Sequence, residues 1–156
     1  MVNDLLLTWY AVAMTVTPAP LATVLDLALA RTLVLRDVDA SLGAHHGVSL
    51  GDLAILLELR DAPGQRLRRV ELANRLGITP SGLARQLQPL ERIGVVARES
   101  HARDARLALV VLTDAGARIA DDGEASGQLA AERALEKRWT PAERDQLAAL
   151  LASARS

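Results

Sequence analysis

Apolar residues recur at the three- and four-residue spacing typical of helices in six segments of the chain. Between the fourth and fifth segments, two short valine-rich runs alternate as half-buried strands do. We therefore expect a mainly α protein with a small β-wing. The predicted helices cover residues 21–37, 50–60 and 68–76, a segment beginning at Pro80, a long Ala-rich segment after Thr113 and a last segment after Thr140, and the predicted strands cover residues 65–67, 95–99 and 107–112.

Residues suited to helix ends stand at several of the predicted boundaries. Ser49 followed by Asp52 has the spacing of a capping box. Thr79 can cap the next helix, because its hydroxyl can accept a backbone N–H of the first turn. Pro80 is favourable at the first helical position, because the N–H that it lacks would have no partner there. Gly77 is suited to end the preceding short helix in a left-handed conformation. These signals support the boundaries drawn from the apolar pattern.

Other residues are less favourable to the predicted helices. Pro89 lacks the N–H needed for a helical hydrogen bond and is expected to kink or end its helix there. Gly43 and Gly47 predict a loop after the first helix. Three further glycines are expected to be weak points of the long helix: Gly116, Gly123 and Gly127.

The helix that begins at Pro80 has two distinct faces. Its leucines share one side, and the opposite side carries donors at helical spacing. Such a polar face alone is ordinary solvent-exposed surface. Here, however, a short helix and a Gly77 turn precede it, and two strands joined by the basic segment SHARDAR, too long for a minimal hairpin, follow it. This order predicts a winged helix-turn-helix, whose second helix lies in the major groove of DNA. The donors of the polar face are Ser81, Arg85, Gln88 and Arg92.

Charge is distributed unevenly along the chain. Residues 60–106 contain ten Arg and five acidic residues, for a net charge of +5. The rest of the chain carries eight basic and fourteen acidic residues, for a net charge of −6. A basic middle suggests that this segment meets a polyanion, and Arg is suited to bidentate contacts with phosphate and guanine. A bias of genome composition toward Arg and Ala would produce the same asymmetry.

The composition limits both the core and the possible chemistry. The chain has 156 residues, 50% of them hydrophobic, yet it contains two Trp, one Tyr and no Phe, so the core must be aliphatic. The absence of Cys excludes disulfides, thiolate metal sites and cysteine redox sensing, and it fits a cytoplasmic location.

Three stretches together resemble the MarR family, the multiple-antibiotic-resistance type of bacterial transcription regulators. They are VELANRLGITPSGLARQLQPLERIGVVARE, RDARLALVVLTDAG and WTPAERDQLAALL, and the resemblance extends over about residues 21–154. It implies a homodimer that binds double-stranded DNA and represses nearby genes, often until a small, frequently phenolic ligand binds. Few aromatic residues are available here to line a pocket for such a ligand.

The resemblance also implies roles for individual residues. Ser81, Arg85 and Gln86 correspond to recognition-helix residues that meet bases or phosphates. Arg106 corresponds to the wing arginine that enters the minor groove, and Asp104 to the acid that orients it. The predicted DNA-binding residues are Thr79, Ser81, Arg85, Gln86, Gln88, Arg92, Arg103, Asp104 and Arg106.

The predicted organisation has four parts. Residues 1–20 form an N-terminal arm of uncertain role, 21–48 a dimerisation helix and loop, 49–112 the winged helix-turn-helix, and 113–156 the C-terminal dimerisation helices. Residues 5–25 are uncharged, but Pro18 and Pro20 divide them and no basic flank precedes them, so we expect neither a membrane span nor a signal peptide. This arm either packs on a partner subunit or lies upstream of a natural start at Met14.

The sequence lacks the motifs of metal sites and of common enzyme classes. The adjacent His45 and His46 on a predicted loop, with His101 elsewhere, lack the converging ligands of a zinc site, and Asp121-Asp122-Gly-Glu lacks the spacing of a calcium loop. No phosphate-binding loop, zinc-protease motif or cysteine nucleophile is present. We therefore expect no enzyme, cofactor or metal. The alternative is a winged-helix protein–protein interaction module with no specific DNA site.

Overall fold

The computed structural model describes residues 19–101 and 104–154, and it divides the chain into two compact units, residues 1–33 and 34–156. The described residues form a mainly α fold with a three-stranded sheet, as predicted. The elements are α1 (Pro20–His46), α2 (Leu50–Arg60), a short 3-10 turn (Pro63–Gln65), β1 (Arg66–Arg68), α3 (Arg69–Arg75), α4 (Pro80–Arg92), β2 (Val96–His101), β3 (Asp104–Leu112), α5 (Asp114–Glu136) and α6 (Pro141–Ser153). Within this part of the chain, no helix combines the length and the apolar character that crossing a bilayer requires.

In the first unit, the described residues 19–33 are the N-terminal half of α1. This segment is exposed along its apolar side, although its residues are mostly Leu, Val and Ala. The hydroxyl of Thr32 donates to the carbonyl of Ala28 at 2.9 Å, one helical turn back. The exposed large apolar residues are Leu21, Val24, Leu25, Leu27 and Leu29.

In the second unit, α1 continues where the sequence predicted a loop. The helix passes through Gly43 and ends at His46, and Gly47 follows with a φ of 68°. The loop prediction was confirmed for Gly47 but was wrong for Gly43, because Val38 and Leu42 extend the apolar stripe and are both buried. Their burial outweighs the low helix propensity of glycine.

Two aliphatic core clusters hold the second unit together, as the lack of Phe required. The larger joins α2, α3, α4 and the sheet, and the smaller joins α1, α2 and α5. The buried residues of the smaller cluster are Val38, Leu42, Leu53, Ala130 and Ala134. Those of the larger include Ile55, Leu56, Leu59, Leu72, Leu83, Leu87, Leu90, Val96 and Val110.

The sheet has the order β1-β3-β2 with antiparallel pairing throughout. All three predicted strands are present, but both wing strands run further toward the tip than expected. His101 pairs with Asp104, so most of the seven residues predicted as a polar tip belong to strands. The prediction of a long connection was wrong because the backbone pairing of two strands does not require the apolar alternation from which the strand ends were drawn.

The glycines of α5 are packing positions rather than weak points. Gly116, Gly123 and Gly127 are buried in an uninterrupted helix. A Cβ at Gly123 would lie 2.9 Å from Leu53 Cδ1, and one at Gly116 would lie 2.1 Å from the carbonyl oxygen of Val95. Glycine therefore permits close approach of α5 to its neighbours, which a sequence pattern alone does not reveal.

The corner between α5 and α6 is held by polar contacts. The half-buried Trp139 bonds through its backbone N–H to the carbonyl of Leu135, and Thr140 forms the capping box that starts α6. On the α1 side, Arg138 donates to Asp37 at 3.0 Å. This hydrogen bond, with the nearby charges of Lys137 and Arg138, holds the pKa of the Asp37 carboxyl below its ordinary value.

We predict that Asp37→Asn is less stable than the wild type at neutral pH and that the difference disappears in acid. A carboxyl whose pKa is depressed by folding stabilises the fold above its unfolded pKa of about 4, and this contribution is lost as pH falls through the lower folded value. Urea denaturation of both proteins at several pH values measures it. A stability difference that stays constant down to acidic pH would contradict the assignment.

Candidate nucleic-acid interface

The position of α4 is set by its cap and by its leucines. The Thr79 hydroxyl accepts the N–H of Gly82 at 3.0 Å, and Pro80 occupies the first turn, as predicted. The apolar side is buried in the larger core and holds the opposite side outward. The leucines that anchor α4 are Leu83, Leu87 and Leu90.

Pro89 does not end this helix. The helix continues to Arg92, and the N–H of Ile93 bonds to the carbonyl of Pro89 at 3.1 Å. Of the two effects predicted for Pro89, a kink or the end of the helix, the second was wrong. Leu87 and Leu90, on either side of the proline, are both buried, and their packing keeps the last turn in place. Arg92 is thereby kept on the same helix as Ser81.

The outward face of α4 presents four exposed polar side chains at helical spacing. Among the described residues, neither Arg85 nor Arg92 forms an ion pair. The guanidinium groups are thus available to an outside partner. The exposed set is Ser81, Arg85, Gln88 and Arg92, with the capping residue Thr79 exposed at the helix start.

Gln86 lies apart from this exposed face. Its side chain is half-buried, and its Nε2 lies 3.8 Å from the position that a Cβ would take at Gly51, in the first turn of α2. Helical geometry explains this, since Gln86 precedes Leu87 and follows Leu83 by three residues, on the border of the buried stripe. The structure therefore brings Gln86 close to α2 rather than to the four outward residues.

Two of the three predicted wing residues, Asp104 and Arg106, belong to β3. Asp104 begins β3, and Arg106 lies two residues further along this strand. Arg103 lies outside the described residues. Both strand positions are near the tip, at the end of the sheet furthest from Leu112.

Ion pairs remove many arginines of the basic segment from the set available to DNA. Arg60 contacts Glu124, Asp61 and Asp121, and these carboxylates raise the pKa of its guanidinium. The paired arginines are Arg60, Arg66 with Glu99, Arg75 with Glu58 and Glu71, and Arg98 with Glu91. Among the arginines of this segment whose side chains the structure describes, those left unpaired are Arg68, Arg69, Arg85 and Arg92. A charge count does not distinguish Arg68 and Arg69 from the other arginines, because ion pairing depends on the tertiary structure.

Three of the candidate metal ligands, His45, His46 and Asp121, contact other groups of the protein. His45 and His46 lie in the last turn of α1, not on a solvated loop, and His46 Nε2 is 2.7 Å from the hydroxyl of Ser126. Asp121 belongs to the carboxylates around Arg60. Over residues 19–101 and 104–154, no three His, Asp or Glu side chains converge as metal ligands would.

Comparisons with known proteins agree with this geometry. The model of the MarR family matches residues 48–107. The HTH-type transcriptional repressor YetL of Bacillus subtilis (strain 168) is 38% identical over 73 residues, a stretch that covers 47% of this chain and 44% of that repressor, so the match spans less than half the length of this curated relative.

Two solved structures are similar over most of the chain. Sco3205, a MarR family transcriptional regulator from Streptomyces coelicolor solved in complex with DNA, has a TM-score of 0.73 at 27% identity and covers 88% of this chain and 87% of its own. The MarR family protein Rv2887 of Mycobacterium tuberculosis, in complex with salicylic acid, has a TM-score of 0.61 at 28% identity, over 88% of this chain and 97% of its own.

Proposed function

We propose that this chain is a MarR family regulator, a homodimeric repressor that binds a pseudo-palindromic site in double-stranded DNA. The observation that carries the proposal is the exposed, unpaired polar face of α4 within a winged helix-turn-helix. A helix anchored by three buried leucines presents its opposite face rigidly, as base recognition requires.

We assign the residues of this face according to their chemistry. Arg85 reads a guanine with two hydrogen bonds in the major groove, and Ser81 and Gln88 contact neighbouring base edges or phosphates. Arg92, at the far end of α4, binds a phosphate. Thr79 contributes at the helix start, and Gln86 supports the register of the helix against α2.

The wing supplies the second contact in this proposal. Arg106 enters the minor groove, Asp104 orients it, and Arg103 adds a further cation at the tip. A narrow minor groove attracts Arg through its negative potential, so this contact favours particular DNA shapes rather than particular bases.

The dimer is proposed to form through the terminal helices. The N-terminal half of α1 exposes a run of large apolar side chains, and α6 exposes Leu150 and Leu151. Apolar surface of this kind is covered by a partner in stable oligomers. Residues 21–48 and 113–156 would then be the dimerisation parts, residues 49–112 the DNA-binding part, and the segment 1–20 an arm whose described portion begins at residue 19.

Two relatives support the proposals of repression and of a small-molecule ligand. YetL is named a repressor, and Rv2887 binds salicylic acid. We propose the same direction of regulation here, with a small-molecule effector of unknown identity, in the cytoplasm and without enzymatic activity. The scarcity of aromatic residues favours an effector held by aliphatic and charged side chains.

Selection of the purified protein against a random duplex library tests the proposal. We expect enrichment of an inverted repeat whose half-sites lie about one helical turn apart, because two symmetric recognition helices require that spacing. Titration of the winning duplex by fluorescence anisotropy should show affinity falling steeply with salt as counterions are released. Failure to enrich any duplex would instead favour the protein–protein interaction module.

A further inference from the structure

Two consecutive arginines, Arg68 and Arg69, lie where β1 ends and α3 begins, and no described carboxylate pairs with either. Arg68 is exposed, and Arg69 is half-buried. Arginines close to them in sequence are neutralised: Arg66 contacts Glu99 at 3.2 Å, and Arg75 contacts Glu71 at 2.8 Å. In the sequence, Arg68 and Arg69 therefore lie between arginines that form ion pairs.

The register of the sheet shows where these charges lie. In the antiparallel pair of β1 and β3, Arg66 is opposite Val111 and Arg68 is opposite Leu109. Because β3 runs from the wing tip toward Leu112, Arg68 occupies the end of β1 nearer the tip. The chain then enters α3, whose end leads through the turn at Gly77 into α4. Arg68 and Arg69 thus lie beside the wing and at the start of the first helix of the helix-turn-helix.

We propose that the guanidinium groups of Arg68 and Arg69 bind the DNA phosphate backbone between the wing and α4. When the second helix of a helix-turn-helix lies in the major groove, the first helix crosses the backbone, so side chains at its start meet phosphates. Free guanidinium groups are the side chains best matched to phosphate geometry. The inference deepens the proposed function and rests on it.

Because α3 lacks a side-chain cap, one substitution can separate an effect on stability from an effect on DNA binding. Four helices, α2, α4, α5 and α6, begin with a Ser or Thr whose hydroxyl accepts a backbone N–H. The corresponding residue of α3 is Arg68, which makes no such bond. Replacing it by threonine supplies a cap, which is favourable for folding, while it removes the charge. Stability and DNA binding should therefore move in opposite directions.

The experiment compares Arg68→Thr, Arg69→Ala and the double variant with the wild type on the selected duplex. Because the proposed homodimer carries each arginine twice, we expect each single change to reduce the slope of log affinity against log salt by about 1.8, and the double change by about twice that, with base preference unchanged. Arg68→Thr should also melt at the wild-type temperature or higher. The matched control is Arg118→Ala, which removes from α5 an exposed charge that no described carboxylate pairs with, and it should leave the slope unchanged.

An unchanged slope in the double variant, with wild-type binding intact, would overturn the inference and leave the proposed function standing. A slope that falls equally in Arg118→Ala would also overturn it, since net charge alone would then be responsible. A wild type that binds no duplex would overturn the proposed function and this inference together.

Discussion

Replacing Gly116 by alanine is expected to lower the free energy of unfolding by about 3 kcal/mol, the upper part of the range for overpacking. The added Cβ would lie 2.1 Å from the carbonyl oxygen of Val95 and 2.7 Å from Leu112 Cδ1. The leucine could rotate, but the carbonyl belongs to the backbone and accepts the N–H of Thr113 at 3.2 Å. Relief therefore requires α5 to move away from the sheet.

Gly43→Ala is the matched control for that change. Gly43 is in the interior of α1 and nothing lies within 4 Å of its added Cβ, so alanine should stabilise the protein by about 0.5–1 kcal/mol through helix propensity. Denaturant unfolding of both variants gives the comparison. Equal stability of Gly116→Ala and wild type would mean that α5 approaches the sheet less closely than the structure shows.

The second large effect is expected on DNA binding. Arg85→Ala should weaken binding to the selected duplex by about 1–3 kcal/mol for each half-site, roughly 5- to 150-fold per half-site, because Arg85 is proposed to hold a guanine by two hydrogen bonds in each. The penalty should be confined to one base position in each half-site, and duplexes altered at that position should bind the variant and the wild type almost equally. Anisotropy titration over a set of single-base duplexes measures this.

Arg85→Lys separates the charge of this residue from its shape. Lysine keeps the positive charge but lacks the planar fork, so it should restore the salt dependence of binding without restoring the base preference. Full recovery of base preference by lysine would contradict a bidentate contact. Loss of affinity without any change in base preference would place Arg85 on a phosphate.

Features encoded locally were predicted well from the sequence. The caps predicted at Ser49 and Thr79 are both present, because a hydroxyl and the next three residues decide a cap without the rest of the fold. The two faces of α4 also follow from helical period alone. These elements were sufficient to predict the winged helix-turn-helix and four outward residues of the site.

Features that depend on distant neighbours were not predictable in this way. The helix through Gly43 follows from the packing of Val38 and Leu42, and the role of Gly116 follows from a carbonyl in another element. Likewise, Arg60 reaches carboxylates more than sixty positions away, so the charge count overstated the number of free arginines. Only the tertiary structure distinguishes Arg68 from Arg66.

The aliphatic core has an optical consequence. Trp139, at the corner of α5 and α6, is the sole Trp, Tyr or Phe among the described residues, since Trp9 and Tyr10 precede them. Tryptophan emission from this part of the chain therefore reports on one corner, whereas far-UV circular dichroism reports on every helix. If the two signals change together during unfolding, the corner and the DNA-binding part unfold as one cooperative unit. If the emission changes first, the corner opens while the recognition helix is still folded.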